Sequence, residues 1–351
     1  MKKGLTIDKL AAEVTRQQNA KRDFVLDTRD LRFNAMTGKL NVMIEQPNGE
    51  TEIFGLTEDA HQQIGNYLGM NQKYYQKMMI HEPGLLAVNV NQWFQRTEKP
   101  FNAEPRMVRV LDNNMRAFLS NRYQRIDNFD LLSALMPVFQ EFPGLRFESS
   151  SLTDREMFLK VFWPGNQKEV QKGDVIQAGC VIRNSETGYA STSVKPMSLR
   201  LWCLNGATHD EYGAKKVHRG KRIDVSETSY ELFTDETLAM SDKAFIMQIR
   251  DLVKSTLQGV WLDTVIRQMQ QAQGIPVEDP KVVIQELSKR FLFSDTEQEL
   301  TLEHFFRDLS QNGQTQYGIF NAVTRMAQDA ETYERATELE EIGGQILTMT
   351  L

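Results

Sequence analysis

Four strand-like runs follow one another between Arg146 and Cys203 with little chain between them. They cover residues 146–152, 157–162, 175–183 and 191–203, and Pro164-Gly165 closes the second run. Parallel neighbours need a long crossover, usually a helix, so runs joined this tightly pair antiparallel as a meander. A helix read over 128–142 precedes them, begun by Asp127 and ended by Pro143-Gly144. The order helix, strand, strand, strand, strand predicts an α+β fold.

The N-terminal part predicts a helix over 5–16 and strands over 23–32, 39–46 and 52–54, with Pro47-Asn48-Gly49 as a turn. Thr57, followed by two acidic residues, caps a helix that Gly69 ends. Helices over 71–79 and 84–96 come next, and Asp112-Asn113-Asn114 is a hairpin signal between strands 106–111 and 115–119. Beyond Thr234 the strand signal fades. Residues 238–273 read as one long helix or two, and further helices are expected over 281–291, 300–309, 317–330 and 333–347. The organisation expected is an N-terminal α+β region (1–100), an α+β core with a meander and a basic loop (101–233), and an acidic helical region (234–351).

Charge divides the chain more sharply than its net −6 indicates. Residues 1–225 hold 31 Lys+Arg against 26 Asp+Glu, and residues 226–351 hold 10 against 21. The most basic stretch follows the last meander strand, where Lys215, Lys216, His218, Arg219, Lys221 and Arg222 stand with no acid among them. A ribbon ending at Asn205-Gly206, with an exposed turn over 184–189 and a basic loop beyond, suits a polyanion. Arg116, Arg122 and Arg125 alternate with Phe118, Tyr123 and Phe129, a mixture suited to phosphate contact and base stacking. The expected nucleic-acid contacts are Arg116, Arg122, Tyr123, Arg125, Tyr189, Lys195, Arg200, Lys215, Lys216, Arg219, Lys221 and Arg222, with Trp202 as a further stacking candidate.

Other chemistries find little support. No phosphate-binding loop, dinucleotide fingerprint or nucleophile elbow occurs, and His209 and His218 lack metal-ligand spacing. No catalytic residue, metal or cofactor is expected. Cys180 and Cys203 read as reduced thiols of a cytoplasmic protein, and no apolar run spans a bilayer.

Several segments together resemble the YafZ/YfjQ-like phage and plasmid proteins, filed as domain of unknown function 932. They are residues 116–132, 179–188 (GCVIRNSETG), 193–206 (SVKPMSLRLWCLNG), His218-Arg219-Gly220, 318–328 around Asn321-Ala322-Val323-Thr324, and 340–347 around Gly343-Gly344. The resemblance runs from about Thr57 to the C-terminus and implies a mobile-element context. In element order the core is also similar to the ring-forming single-strand annealing proteins of recombination. The expectation is a single-stranded DNA or RNA binder of phage or plasmid DNA metabolism, homo-oligomeric, off the membrane and in the bacterial cytoplasm. The alternatives are a protein-interaction or host-takeover factor, and a metal-dependent nuclease using Asp127, Asp130, Glu148 and Glu186.

Overall fold

A computed structural model describes the chain apart from residues 1, 37, 47, 97–103, 122, 124, 211–212, 217–234 and 351; for 214–216 and 235–239 it describes the backbone alone. Helix α1 (Ile7–Ala20) is capped by Thr6 and leads to β1 (Arg22–Asp27), a one-turn 3-10 helix, β2 (Leu31–Asn34), β3 (Asn41–Glu45) and β4 (Thr51–Leu56). Helices α2 (Glu58–Tyr67), α3 (Gln72–His81) and α4 (Pro83–Phe94) precede β5 (Pro105–Leu111) and β6 (Asn114–Ser120). These strands form one six-stranded sheet in the order β1-β5-β6-β4-β3-β2. The sheet draws strands from both sides of residue 100. Its core, including Phe33, Phe54, Val108 and Phe118, is covered by α2, α3 and α4 through Ile64, Tyr75, Leu86 and Phe94. Between β5 and β6, Asp112 and Asn113 both have positive φ, the conformation a tight two-residue hairpin demands.

Helix α5 (Asn128–Gln140) opens the second unit, followed by β7 (Arg146–Leu152), β8 (Met157–Gln171), β9 (Asp174–Asn184), β10 (Thr192–Arg200), β11 (Asn205–Thr208) and β12 (Ala214–Lys216). The sheet order β11-β10-β9-β8-β7 is the expected antiparallel meander. The expected strand 23–32 is broken by the 3-10 turn into β1 and β2, and two boundaries of the meander also differ from expectation. Strand β8 passes through Pro164-Gly165, because pairing with β9 is interrupted between Phe162 and Gln167 and the proline meets no ladder there. Asn205-Gly206 begins β11 rather than ending the ribbon. Strands β11 and β12 both pair with β10, one at each end. Between them Pro196 of β10, which has no N–H to give, only accepts a bond from His209 N (2.9 Å).

The rest is helical: α6 (Asp235–Gln258), α7 (Leu262–Gln273), α8 (Pro280–Phe291), α9 (Asp295–Arg307), α10 (Leu309–Asn312), α11 (Gln316–Met326) and α12 (Tyr333–Ile346). Gly259, at φ +70°, separates α6 from α7. Ser294 and Glu297 form a capping box that starts α9 at Asp295, ahead of the expected residue 300. Helices α1, α5 and α6 cover one face of the meander through Leu10, Leu135 and Val253. Tyr333 of α12 lies on the other face, with Phe158, Phe162 and Met197. The fold is thus α+β, with two sheets that are antiparallel apart from the parallel β4–β6 pair, packed with helices and followed by an all-helical C-terminal region. Among the described residues no helix is long and apolar enough to cross a membrane.

Candidate functional site

The connection from β9 to β10 was expected as an exposed turn, but Asn184, Ser185, Glu186 and Thr187 are buried and only Gly188 and Tyr189 reach the surface. The cause is the first sheet, whose strands supply donors to the loop. Arg109 on β5 donates to the Glu186 carbonyl (3.0 Å), Arg116 on β6 to Glu186 Oε2 (2.6 Å), and Gln63 on α2 to the Thr187 carbonyl (2.7 Å). Glu186 Oε1 accepts the Asn128 N–H (2.6 Å), so it caps α5 from outside the helix. Asp127 holds the cap position but makes no cap bond, since its carboxylate binds Arg109 (2.6 Å) and Lys21. Those cations hold Asp127 below the usual aspartate range although burial pushes it upward.

An expected phosphate contact, Arg116, and an expected stacking partner, Tyr123, are therefore corrected. Arg116 sits where the β5–β6 register shifts, a bulge that turns its side chain inward to Glu186. Tyr123 packs with Met107, Ala117 and Leu119, and its hydroxyl donates to the Ser185 carbonyl (2.9 Å).

Arg200 is a third correction. It is buried, fixed by Asp174 at 2.6 and 2.7 Å, and it also donates to Asn312 and Asn321 (2.9 Å each). Tyr317 donates to the same Asp174 (2.8 Å), and Asn205 donates to Thr324 (2.6 Å). This network ties β9, β10 and β11 to α10 and α11, and a buried guanidinium so completely paired is not available to a ligand. Trp202 beside it stays 48% exposed.

Apart from Trp202, the candidates left at the surface fall in two places. Arg125 is exposed ahead of α5. Tyr189 and Lys195 line a depression of about 220 Å³ together with Arg183, Ala190, Ser191 and Ser193. Tyr189 is 52% exposed, with the Arg155 guanidinium 5.0 Å from its ring centre. Strand β12 runs along the same edge, Lys215 opposite Ser193 and Lys216 opposite Thr192, and Ser193 in turn faces Arg183 on β9. The basic cluster thus begins beside this depression. Arg122, His218, Arg219, Lys221 and Arg222 lie outside the described residues.

Arg155 and Arg183 also belong to this surface, and no motif in the sequence marks them. The only local signal was Arg183 interrupting an apolar strand, and its juxtaposition with Tyr189 needs the hairpin to form. Both arginines have partners: Arg183 donates to Glu156 (2.7 Å) and Arg155 to Asp59 (2.9 Å). Burial raises Glu156 and Asp59 above the usual carboxylate range, against the pull of those arginines. A larger depression, about 930 Å³, lies beside β1 and β3, and none of the expected contact residues lines it. Of the carboxylates proposed for a nuclease, Asp127 and Glu186 are buried on arginines, and among the described residues no group of three His, Cys, Asp or Glu could hold a metal ion.

Comparisons with curated proteins and with solved structures found no match. The model of one family matches residues 117–342, from β6 to α12, beginning well after the Thr57 expected from the resemblance. That is more than half of the chain, and it contains the whole meander with Glu186 and Arg200; the protein belongs to the family described as domain of unknown function (DUF932).

Proposed function

We propose that the chain binds single-stranded nucleic acid in phage or plasmid DNA metabolism, with strand annealing in recombination as its reaction. The supporting observation is the register of β12, which starts the basic cluster beside the depression of Arg183, Lys195 and Tyr189. An exposed tyrosine ring among cations offers a stacking surface next to phosphate contacts, and one stacked base contributes about 1–3 kcal/mol. Because the chain as a whole is acidic, attraction for a polyanion rests on this local patch. The YafZ/YfjQ-like resemblance supplies the mobile-element context, and the annealing comparison implies several copies assembled along one strand.

The test is fluorescence anisotropy with labelled oligothymidylate and oligouridylate at two salt concentrations. Binding is expected to weaken steeply with salt and to fall more than tenfold when Lys215, Lys216, Arg219, Lys221 and Arg222 are replaced by Ala. An affinity that survives this replacement removes the loop from the interface. A protein that ignores both oligonucleotides and retains one host protein in a pull-down overturns the reading in favour of an interaction factor.

A further inference from the structure

Lys195 of β10 lines the depression beside β12, and two carboxylates already hold it. Its Nζ lies 2.8 Å from Asp210 Oδ1 and 2.8 Å from Glu341 Oε1. Asp210 belongs to the link between β11 and β12, whereas Glu341 belongs to α12 in the acidic last third. The Lys195 side chain is only 16% exposed, but that of Asp210 is 44% exposed, so solvent reaches the pair from the Asp210 side. Burial lowers the ammonium pKa, yet the charge of Glu341 and the bonds to both acids outweigh it and leave Lys195 raised. Gly213 closes over the stem, since a Cβ there would stand 3.1 Å from Lys195 Cγ.

Arg183 binds buried Glu156, and Arg155 binds buried Asp59 with the exposed Glu58 at 3.7 Å. Lys195 is held instead by two acids of which neither is buried, Asp210 at 44% and Glu341 at 22% side-chain exposure. Two oxygens of separate carboxylates around one ammonium resemble the oxygen environment a backbone phosphate provides. We infer that Asp210 and Glu341 occupy the place of a phosphate on Lys195, so that the acidic third of the chain restrains nucleic-acid binding through Glu341. This rests on the proposed binding function and adds a competing internal ligand to it. Binding exchanges carboxylate for phosphate, and removing the carboxylates frees one more cation for the strand.

The experiment compares the full chain with D210N/E341Q by anisotropy on oligothymidylate across a salt series. The double variant is expected to bind about three- to tenfold tighter, the range one or two partly screened ion pairs allow. The slope of log K against log salt should steepen by about 0.7, the value for one added phosphate contact on a single strand. Adding K195Q to the double variant should abolish both changes. E141Q/D263N removes two carboxylates from other exposed ion pairs, with Lys254 and Lys168, and should produce neither change. Wild-type binding that D210N/E341Q leaves unaltered, or that E141Q/D263N strengthens equally, overturns the restraint and leaves the binding function standing. Absence of binding by every variant overturns both.

Discussion

Glu186 is the residue whose loss should damage the joint between the two sheets most. Its carboxylate does two things at once: Oε2 accepts from buried Arg116 at 2.6 Å, and Oε1 accepts from the first N–H of α5 at 2.6 Å. Both side chains of the ion pair are 7% exposed. Removing one member of such a pair costs about 3–5 kcal/mol, because the remaining charge stays buried without a partner. Losing a helix-cap acceptor adds about 1 kcal/mol. Glu186→Ala should therefore cost roughly 4–6 kcal/mol, a large share of the 5–15 kcal/mol typical of a folded domain. Glu186→Gln keeps an oxygen for Asn128 and isolates the charge, at about 3 kcal/mol or more. The double variant Arg116→Met, Glu186→Gln buries no charge and should recover most of that loss. Urea titration read by amide exchange in α5 and in the β9–β10 hairpin follows this joint directly, without assuming that the whole chain unfolds in one step. Single and double variants that add within about 0.5 kcal/mol, or a Glu186→Gln cost under about 1 kcal/mol, would refute the reasoning.

Two further outcomes follow from buried groups elsewhere. His209 is enclosed between Ser198 and Trp261, and burial lowers its pKa to about 3. The unfolded chain takes up a proton near pH 6.5 that the folded chain refuses, so stability falls by about 1.4 kcal/mol per pH unit from pH 6.5 toward 3. His209→Gln should remove that share of the slope in urea titrations between pH 6.5 and 4, leaving the share of His61, whose pKa burial lowers to about 4; an unchanged slope counts against the buried neutral imidazole. Gly344→Ala would set a Cβ 1.8 Å from the Thr208 carbonyl oxygen, so α12 must retreat from β11 at a cost of about 3 kcal/mol or more, whereas Gly84→Ala meets nothing within 4 Å and should gain about 0.5 kcal/mol in the same thermal melts.

The parts of this fold that local chemistry controls were legible in the chain. Thr57, Asn71 and Ser294 each accept a backbone N–H at a helix start, and Asp112-Asn113 takes the left-handed turn its residues favour. Features created by distant neighbours were not legible. Nothing in Asn184-Ser185-Glu186-Thr187 distinguishes a surface turn from one buried by Arg109 and Arg116, which lie 70 or more positions earlier. The same applies to the cations: sequence reveals a charge, but not whether Asp174 or solvent faces it, and Arg200 and Arg125 differ only in that. Proline punctuation also misled where Pro164 coincides with a gap in pairing.

Among the described residues, several of the segments that carry the family resemblance meet at joints of the fold. The Asn184–Gly188 stretch lies between the two sheets, capping α5 and receiving Arg109, Arg116 and Gln63. Asn205 meets Thr324 at 2.6 Å, Gly343 meets the Thr324 side chain, and Gly344 meets the Thr208 backbone, so the later blocks converge where α11 and α12 sit on β11. Their asparagines and glycines are accounted for by buried hydrogen bonds and close approach. These asparagines and glycines are occupied in the joints themselves. The proposed binding rests instead on the residues that these asparagines and glycines frame, Arg155, Arg183, Tyr189, Lys195 and the start of the basic cluster, with Arg183 and Lys195 inside the resembling segments themselves. Substitutions in the framed set should change binding while α5 keeps its exchange protection, and substitutions in the framing set should change both together.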